Sequence, residues 1–269
     1  MKDRYLIALD LDGTLLRDDK TISAENKIVL KQAREEGHVV MIATGRSYRT
    51  SELYYKELKL DTPIVNYNGA FVHHPLNKKW GSYHEPIRLE TVQKIVESCF
   101  QYNFHNIIAE VLDHVYIHYH DQRLLDIFRL GNPQITEGDL RKFLKQNPTS
   151  LLIQTDDQNV GKLSRLLEER HGNDVEHRSW GYPYPVIEVN KKGINKAFGI
   201  KKVADYYGIP RERIIAFGDE DNDLEMLEYA EYGVAMGNAI DKAKEVAKDV
   251  TLTNEEDGIA HYLKKTILA

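Results

Sequence analysis

Cysteine is almost absent from this chain: among its 269 residues there is one, Cys99. A single thiol has no partner within the chain, which excludes an internal disulfide and fits a protein kept in a reducing compartment. Cys99 also continues the apolar positions Val92, Ile95 and Val96, whose spacing is that of one helix face. We therefore predict a buried core thiol and no cysteine nucleophile.

Long hydrophobic runs and blocks of basic charge are absent as well. No apolar stretch reaches the roughly 20 residues of a membrane-spanning helix, and the N-terminus has no apolar stretch followed by a small-residue cleavage site. The 36 Lys and Arg residues are outnumbered by 42 Asp and Glu residues, which gives a net charge of −6. These absences argue against a membrane or a nucleic acid as partner, and we expect a soluble, cytoplasmic protein.

What the chain does contain is a regular alternation of buried strands and amphipathic helices. The apolar, β-rich runs are 5–9, 38–43, 63–67, 214–217, 232–236 and 250–252. The first helix between them begins after the N-cap residue Ser23 and ends before Gly37, a residue typical of helix C-termini. This rhythm predicts an α/β fold, with a Rossmann-like, mostly parallel core sheet that has helices on both faces.

Between about 83 and 188 the strands and helices continue, but no polar motif follows the strands. We predict that 83–188 form a smaller, inserted α+β cap domain, and that 1–82 and 189–269 together form the catalytic core. Because such a domain has two connections to the core, it can close as a lid and select the substrate. Its aromatic loop Trp180–Tyr184 is expected to pack, with substrate selection through Trp180 and Tyr182 as the alternative.

Paired carboxylates follow the first strand. Asp10 and Asp12 are two residues apart, so their side chains can leave on the same side, about 6.5 Å apart along the backbone. Two such carboxylates repel each other unless a cation compensates, and Asp219, at the end of another strand, adds a third. Few carboxylates with several waters suit Mg²⁺, beside which one Asp can attack phosphorus while the other protonates the leaving oxygen.

Groups suited to a phosphoryl ligand follow other strands. The Thr44 hydroxyl and the Gly45 amide lie where a strand turns into a helix, and the backbone at such a turn donates to anions. Lys196 supplies a compact positive charge and Asn222 an amide donor. Since the carboxyl ends of parallel strands meet at one edge of a sheet, these residues predict one phosphoryl-transfer site.

The chain here resembles the haloacid dehalogenase superfamily, and within it the Cof-type phosphatases with an inserted α/β cap. The motifs that carry the resemblance are Asp-Leu-Asp-Gly-Thr-Leu at 10–15, Ala-Thr-Gly-Arg at 43–46, Asn-Gly-Ala at 68–70, Gly-Asp-x-x-Asn-Asp at 218–223 and Gly-Val-Ala-Met-Gly-Asn-Ala at 233–239. Their order along the chain, each after a strand, makes the resemblance specific. It covers nearly the whole core.

The resemblance implies a role for each matched residue. Asp10 is expected to be the nucleophile and Asp12 the acid and base. The residues expected to bind phosphate are Thr44, Gly45, Lys196 and Asn222, those expected to bind substrate are Arg46, Asn68 and Gly69, and those expected to hold Mg²⁺ are Asp10, Asp12 through its main-chain carbonyl, Asp219 and Asp223. Ala197 stands where the family often has glycine, so Lys191 and Lys192 compete with Lys196 for the lysine's role.

Two motifs also fit other interpretations. Asp10 and Asp12 would also open a calcium loop, but Thr21 stands where that loop needs a glutamate. His118 and His120 have metal-ligand spacing, yet the alternation of this strand predicts that both lie on an exposed face.

The predicted function is a Mg²⁺-dependent phosphatase that acts on small phosphorylated metabolites through an aspartyl-phosphate. A sugar phosphotransferase or phosphomutase is the alternative enzyme. A non-catalytic sensor of phosphorylated metabolites is the alternative outside enzymes, disfavoured because Asp10 and Asp12 are both intact. Sugar phosphates, nucleotides, and flavin or pyridoxal phosphates all fit as substrates, and no motif assigns an oligomeric state.

Overall fold

Two compact units make up the computed structural model, which describes residues 4–180 and 185–268. The first unit is Met1–Arg46, Ser51–Tyr83 and Asn195–Ala269, and the second is Ser47–Thr50 and His84–Ile194. The predicted division at 188 and 189 falls inside the strand Val186–Lys191, which pairs with two strands of the second unit. The boundary between the two units therefore lies after the end of this strand, between Ile194 and Asn195.

The first part of the chain alternates strands and helices as predicted. Its elements are β1 (Leu6–Leu9), α1 (Ala24–Glu35), β2 (Val39–Ile42), α2 (Tyr48–Glu57), β3 (Ile64–Asn66), β4 (Phe71–His73) and β5 (Ser82–His84). Helix α1 begins where the sequence indicated, because Oγ of Ser23 accepts a hydrogen bond from N of Asn26 at 3.0 Å.

The second unit is built on an antiparallel sheet with one parallel pair. Its elements are α3 (Leu89–Cys99), β6 (Phe104–Val111), β7 (His114–Ile117), α4 (Gln122–Phe128), β8 (Gln134–Glu137), α5 (Leu140–Phe143), β9 (Ser150–Thr155), α6 (Asp157–His171), β10 (Val175–Ser179) and β11 (Val186–Lys191). The strand order is β10-β11-β9-β6-β7-β8, with β7 and β8 parallel. Cys99 is fully buried in the core between this sheet and its helices, and burial raises the pKa of its thiol to about 12.

The aromatic loop of this unit is only partly described. Trp180 is half exposed, and its Nε1 donates a hydrogen bond to Oε2 of Glu188 at 3.3 Å. Tyr182, the other residue through which the loop was expected to select substrates, lies outside the described residues.

The prediction of an exposed face for both histidines after β7 is wrong for His118. This side chain is buried against Phe100, Phe104 and Tyr119, and its Nδ1 accepts a hydrogen bond from N of Leu140 at 3.3 Å. The alternation predicted that this side chain faces solvent, but the three aromatic rings cover it. His120 is exposed, as predicted.

The last part of the chain returns to the first unit. Its elements are α7 (Lys196–Tyr207), β12 (Ile214–Gly218), α8 (Leu224–Tyr229), β13 (Tyr232–Ala235), α9 (Asp241–Val246), β14 (Asp249–Val250) and α10 (Gly258–Thr266). The core sheet has the order β14-β13-β12-β1-β2 and is parallel throughout. The predicted third strand joins it at one bridge, between Ala43 and Val65, and pairs mainly with β4.

Helices cover both faces of the core sheet. Ala8 and Met41 pack on one face with Ile200 of α7, while Phe217 on the other face meets the ring of Tyr262 of α10 at 5.6 Å. The predicted fold class is thus confirmed. Among the helices in the described ranges, none is both long and apolar enough to cross a membrane.

Candidate active site

Three carboxylates meet at the carboxyl end of the core sheet. Asp10 directly follows β1 and Asp219 follows the adjacent strand β12, while Asp223 ends the short 3₁₀ turn Asp221–Asp223. Within 4–180 and 185–268, oxygen atoms of these three side chains form the group that can hold a metal ion, all within 4.8 Å of one another. The neighbouring positions of β1 and β12 therefore bring together residues more than 200 positions apart in sequence.

Lys196 lies inside this cluster. Its Nζ donates to Oδ1 of Asp10 at 2.6 Å and to Oδ1 of Asp223 at 2.7 Å, and its side chain is fully buried. The competing lysines are elsewhere: Nζ of Lys191 bonds Glu85, and Nζ of Lys192 donates to the carbonyl of Gly172. Among the three lysines that the sequence left open, the structure brings Lys196 to Asp10.

Asp223 has both carboxylate oxygens engaged by the protein. Its Oδ2 accepts hydrogen bonds from the backbone N of Asp219 and of Glu220, each at 3.0 Å, while Oδ1 accepts from Lys196. These bonds fix the turn that presents Asp219. Because each carboxylate oxygen has more than one lone pair, Asp223 stays with Asp10 and Asp219 in the group that can hold a metal ion.

The charges of the cluster are unbalanced. Burial, only partly offset by Lys196, raises the pKa of Asp10 to about 7, and burial together with the charges of Asp10 and Asp223 raises the pKa of Asp219 to about 8. Burial works to lower the pKa of Lys196, but Asp10 and Asp223 outweigh it and the pKa is raised. One ammonium cannot compensate three carboxylates, so the donor set fits a hard divalent cation such as Mg²⁺.

Gly13 and Thr14, to which the sequence analysis assigned no role in the site, shape the carboxylate cluster. Gly13 has a φ of +75°, and a Cβ there would lie 2.2 Å from Oδ2 of Asp219, so only glycine fits. The buried Oγ1 of Thr14 donates to Oδ1 of Asp219 at 2.6 Å and orients that carboxylate. Both residues belong to the motif at 10–15, which was the sequence signal that could have identified them as part of the site.

The carboxylate of Asp12 points to cations instead of the cluster. Arg46 donates from Nε and Nη2 to its two oxygens, each at 2.6 Å, and Nζ of Lys20 donates to Oδ1 at 2.9 Å. Partial burial works to raise the pKa of Asp12, but these hydrogen bonds outweigh it and the pKa is lowered. Sequence reasoning missed Lys20. The structure pairs Arg46 with Asp12, and the contact of Arg46 with substrate stays a prediction.

The remaining predicted residues form a second group beside the Thr44 turn. Oγ1 of the buried Thr44 accepts a hydrogen bond from N of Arg46 at 3.1 Å, which shapes the turn. Nδ2 of Asn222 donates to Oδ1 of Asn68 at 3.0 Å, and a Cβ on Gly45 would lie 3.1 Å from that oxygen. Gly45 thus has no side chain at the point where the amides of Asn68 and Asn222 approach it.

Comparison with known proteins finds relatives and solved structures that span the whole chain. The chain is 53% identical, over 97% of both chains, to the 5-amino-6-(5-phospho-D-ribitylamino)uracil phosphatase YitU of Bacillus subtilis (strain 168). It is 32% identical to the phosphatase YcsE of the same organism, named for the same substrate, over 99% of this chain and 97% of that one. The crystallised HAD subclass IIB sugar phosphatase BT4131 superposes with a TM-score of 0.81 at 25% identity, over 97% of this chain and 98% of the other.

An α/β core of this architecture, shared with relatives that are phosphatases, defines a hydrolase of phosphoric monoesters. The chain belongs to the haloacid dehalogenase-like hydrolase family, whose model matches residues 7–263. The resemblance predicted from the five motifs is confirmed.

Proposed function

We propose that this phosphatase depends on Mg²⁺ and works through an aspartyl-phosphate on Asp10. The observation that carries the proposal is the buried contact of Lys196 with Asp10, beside Asp219. A fixed ammonium and a divalent cation on a buried carboxylate are what transfer of an anionic phosphoryl group needs, because most of its catalysis is positioning and charge stabilisation.

In the first step an oxygen of Asp10 attacks phosphorus. The bond from phosphorus to the ester oxygen breaks, and the leaving oxygen takes a proton from Asp12. Lys196 holds the Asp10 carboxylate in place and balances charge on the phosphoryl oxygens. Bound Mg²⁺ supplies further positive charge to those oxygens.

In the second step water attacks the phosphorus of the aspartyl-phosphate, which releases inorganic phosphate and restores Asp10. Asp12 accepts the proton of that water. Its ion pairs with Arg46 and Lys20 hold Asp12 as the carboxylate, the form that this step requires. For the first step Asp12 must carry a proton, so these pairs must loosen when substrate binds.

Three further groups are proposed to contact the phosphoryl oxygens. The hydroxyl of Thr44 and the amide of Gly45 lie at one turn, and Asn222 is held beside them through Asn68. Each is a hydrogen-bond donor, as the developing charge on the phosphoryl group requires.

We propose 5-amino-6-(5-phospho-D-ribitylamino)uracil as the substrate, because two relatives that match nearly the whole chain are named for it. The second unit, which corresponds to the predicted cap, is proposed to select it.

The ratio of kcat/KM values measures how strongly an enzyme discriminates between substrates. For the purified protein, we expect kcat/KM for this compound to be about a hundredfold higher than for pyridoxal phosphate and for hexose phosphates. A flat profile across this panel would contradict the assignment, and phosphate transfer to an added sugar would favour a phosphotransferase.

Removal of metal should change the pH dependence of stability. The raised pKa values of Asp10 and Asp219, about 7 and 8, mean that in the metal-free folded state these two carboxyls keep protons that they lose in the unfolded chain above about pH 4. The contribution of these two groups to stability is therefore expected to fall as the pH rises from 4 to 8. Added Mg²⁺ should raise the melting temperature more near pH 8 than near pH 5.5, because it binds the ionised carboxylates.

Scanning calorimetry with Mg²⁺ and with chelator at both pH values checks this expectation. Asp219→Asn is the control. It replaces a charged proposed ligand with a neutral amide, so it should abolish most of the rise in melting temperature that Mg²⁺ causes. An equal shift in this variant would exclude Asp219 as a ligand.

A further inference from the structure

The turn Asn66–Gly69, which we call the brace, has an unusual backbone. Tyr67 and Asn68 adopt left-handed φ values of 51° and 52°, and Gly69 follows with a φ of 100°. Tyr67 and Asn68 are nevertheless buried, with 2% and 4% of their surfaces exposed. Strained conformations of this kind persist where the surroundings hold them, and they cluster at functional sites.

The brace holds the turn that carries the proposed phosphate donors Thr44 and Gly45. N of Asn68 donates to the carbonyl of Thr44 at 3.1 Å. N of Tyr67 and Nδ2 of Asn66 both donate to the carbonyl of Arg46, at 3.2 and 3.0 Å. The two ends of the Thr44–Arg46 turn are thereby bonded to neighbouring residues of the brace.

The same four residues reach the other two segments of the site. Oδ1 of Asn68 accepts the hydrogen bond from Asn222 at 3.0 Å. Gly69 packs against the carbonyl of Asn195, to which an added Cβ would approach within 2.2 Å. Asn195 is the N-cap of α7, and Lys196 is the first residue of that helix.

We infer that the brace sets the relative positions of the three chain segments that carry the proposed phosphate contacts, so that Asn68 and Gly69 are positioning residues. Asn68 acts through Asn222, and Gly69 acts through the start of the helix that carries Lys196. This inference rests on the proposed function, which assigns phosphate contacts to Thr44, Lys196 and Asn222. Displacement of such a group by about 1 Å is enough to cost roughly a hundredfold in rate.

Asn68→Gly removes the acceptor for Asn222 without adding backbone strain, because glycine adopts a φ of 52° freely. We expect kcat to fall about tenfold or more, while the variant still unfolds cooperatively with a lower melting temperature, because a buried side chain and its hydrogen bond are lost. Lys59→Gly is the matched control, since Lys59 has a φ of 51° in an exposed loop after α2. It should leave kcat unchanged.

A double-mutant cycle separates positioning from direct substrate contact. If Asn68 acts through Asn222, then Asn68→Gly should have no further effect on kcat/KM in an Asn222→Ala background. Additive losses would overturn the inference, because Asn68 would then act on the substrate by itself. Wild-type activity in either single variant would overturn it as well.

Gly69→Ala tests the contact with Asn195. The matched control is Gly37→Ala, because Gly37 has a similar φ of 93° but no atom within 4 Å of an added Cβ. Both should lower the melting temperature through backbone strain, whereas only Gly69→Ala should lower kcat and weaken inhibition by inorganic phosphate, each about tenfold. Equal catalytic effects of the two variants would overturn the inference for Gly69.

Failure of the proposed function and failure of this inference give different results. That proposal fails if Asp10 is dispensable for turnover. The inference about the brace fails if Asp10 is essential but the Asn68 and Asn222 variants are uncoupled.

Discussion

Asp10→Asn should abolish turnover, with a loss of at least about 10⁴-fold, while the protein stays folded. A neutral amide cannot attack phosphorus, and it also removes one charge from the group that holds the metal. Stability should not suffer, because Asp10 is buried among carboxylates and its charge is disfavoured there, as its raised pKa shows. The measurements are initial rates on the natural and on a nitrophenyl ester, with the melting temperature as a check on folding.

Asp12→Asn is the comparison that separates the nucleophile from the acid. Nitrophenolate leaves without needing a proton, so this variant should still transfer a phosphoryl group to Asp10 from the activated ester. Acid quenching followed by intact mass measurement detects that phosphoenzyme, which Asp10→Asn cannot form. Residual turnover in clean Asp10→Asn, or equal losses of Asp12→Asn on both esters, would contradict the assigned roles.

Lys196→Ala is the second large effect, and we expect turnover to fall by about a hundredfold or more. The variant removes a fixed charge that lies 2.6 Å from the Asp10 carboxylate, and loss of one such group from a water-excluded site costs roughly 3 kcal/mol of transition-state stabilisation. Initial rates at saturating substrate measure the effect.

Lys192→Ala is the matched control. Lys192 is four residues upstream on the same segment, but its Nζ bonds the carbonyl of Gly172 in the second unit. Its replacement should leave turnover within about twofold, because the loss of one partly buried hydrogen bond outside the carboxylate cluster changes mainly local stability. If Lys192→Ala were the damaging variant, the lysine's role would move away from Lys196.

The positions of Asp10, Thr44 and Asp219 at one edge of a sheet could be read from the sequence. Each follows a short, β-rich run of apolar residues, and such runs alternating with amphipathic helices indicate parallel strands buried on both faces. Because parallel strands end at the same edge, the motifs had to converge once the strands were identified. The same logic failed at His118, where a local alternation was read as exposure although Phe100 and Phe104 cover the side chain.

The partners of the charged side chains were decided by the tertiary structure alone. The sequence favoured Lys196 over Lys191 and Lys192 only through the family resemblance, and the packing of α7 is what brings Lys196 to Asp10. The pairing of Asp12 with Lys20, eight residues away, and with Arg46, 34 residues away, also depends on how the intervening chain folds back. The periodicity of apolar residues predicts which face of a helix or strand is buried, because side chains repeat on one face at a fixed spacing. It does not predict which long side chains from different elements come into contact, because those contacts depend on the three-dimensional path of the chain.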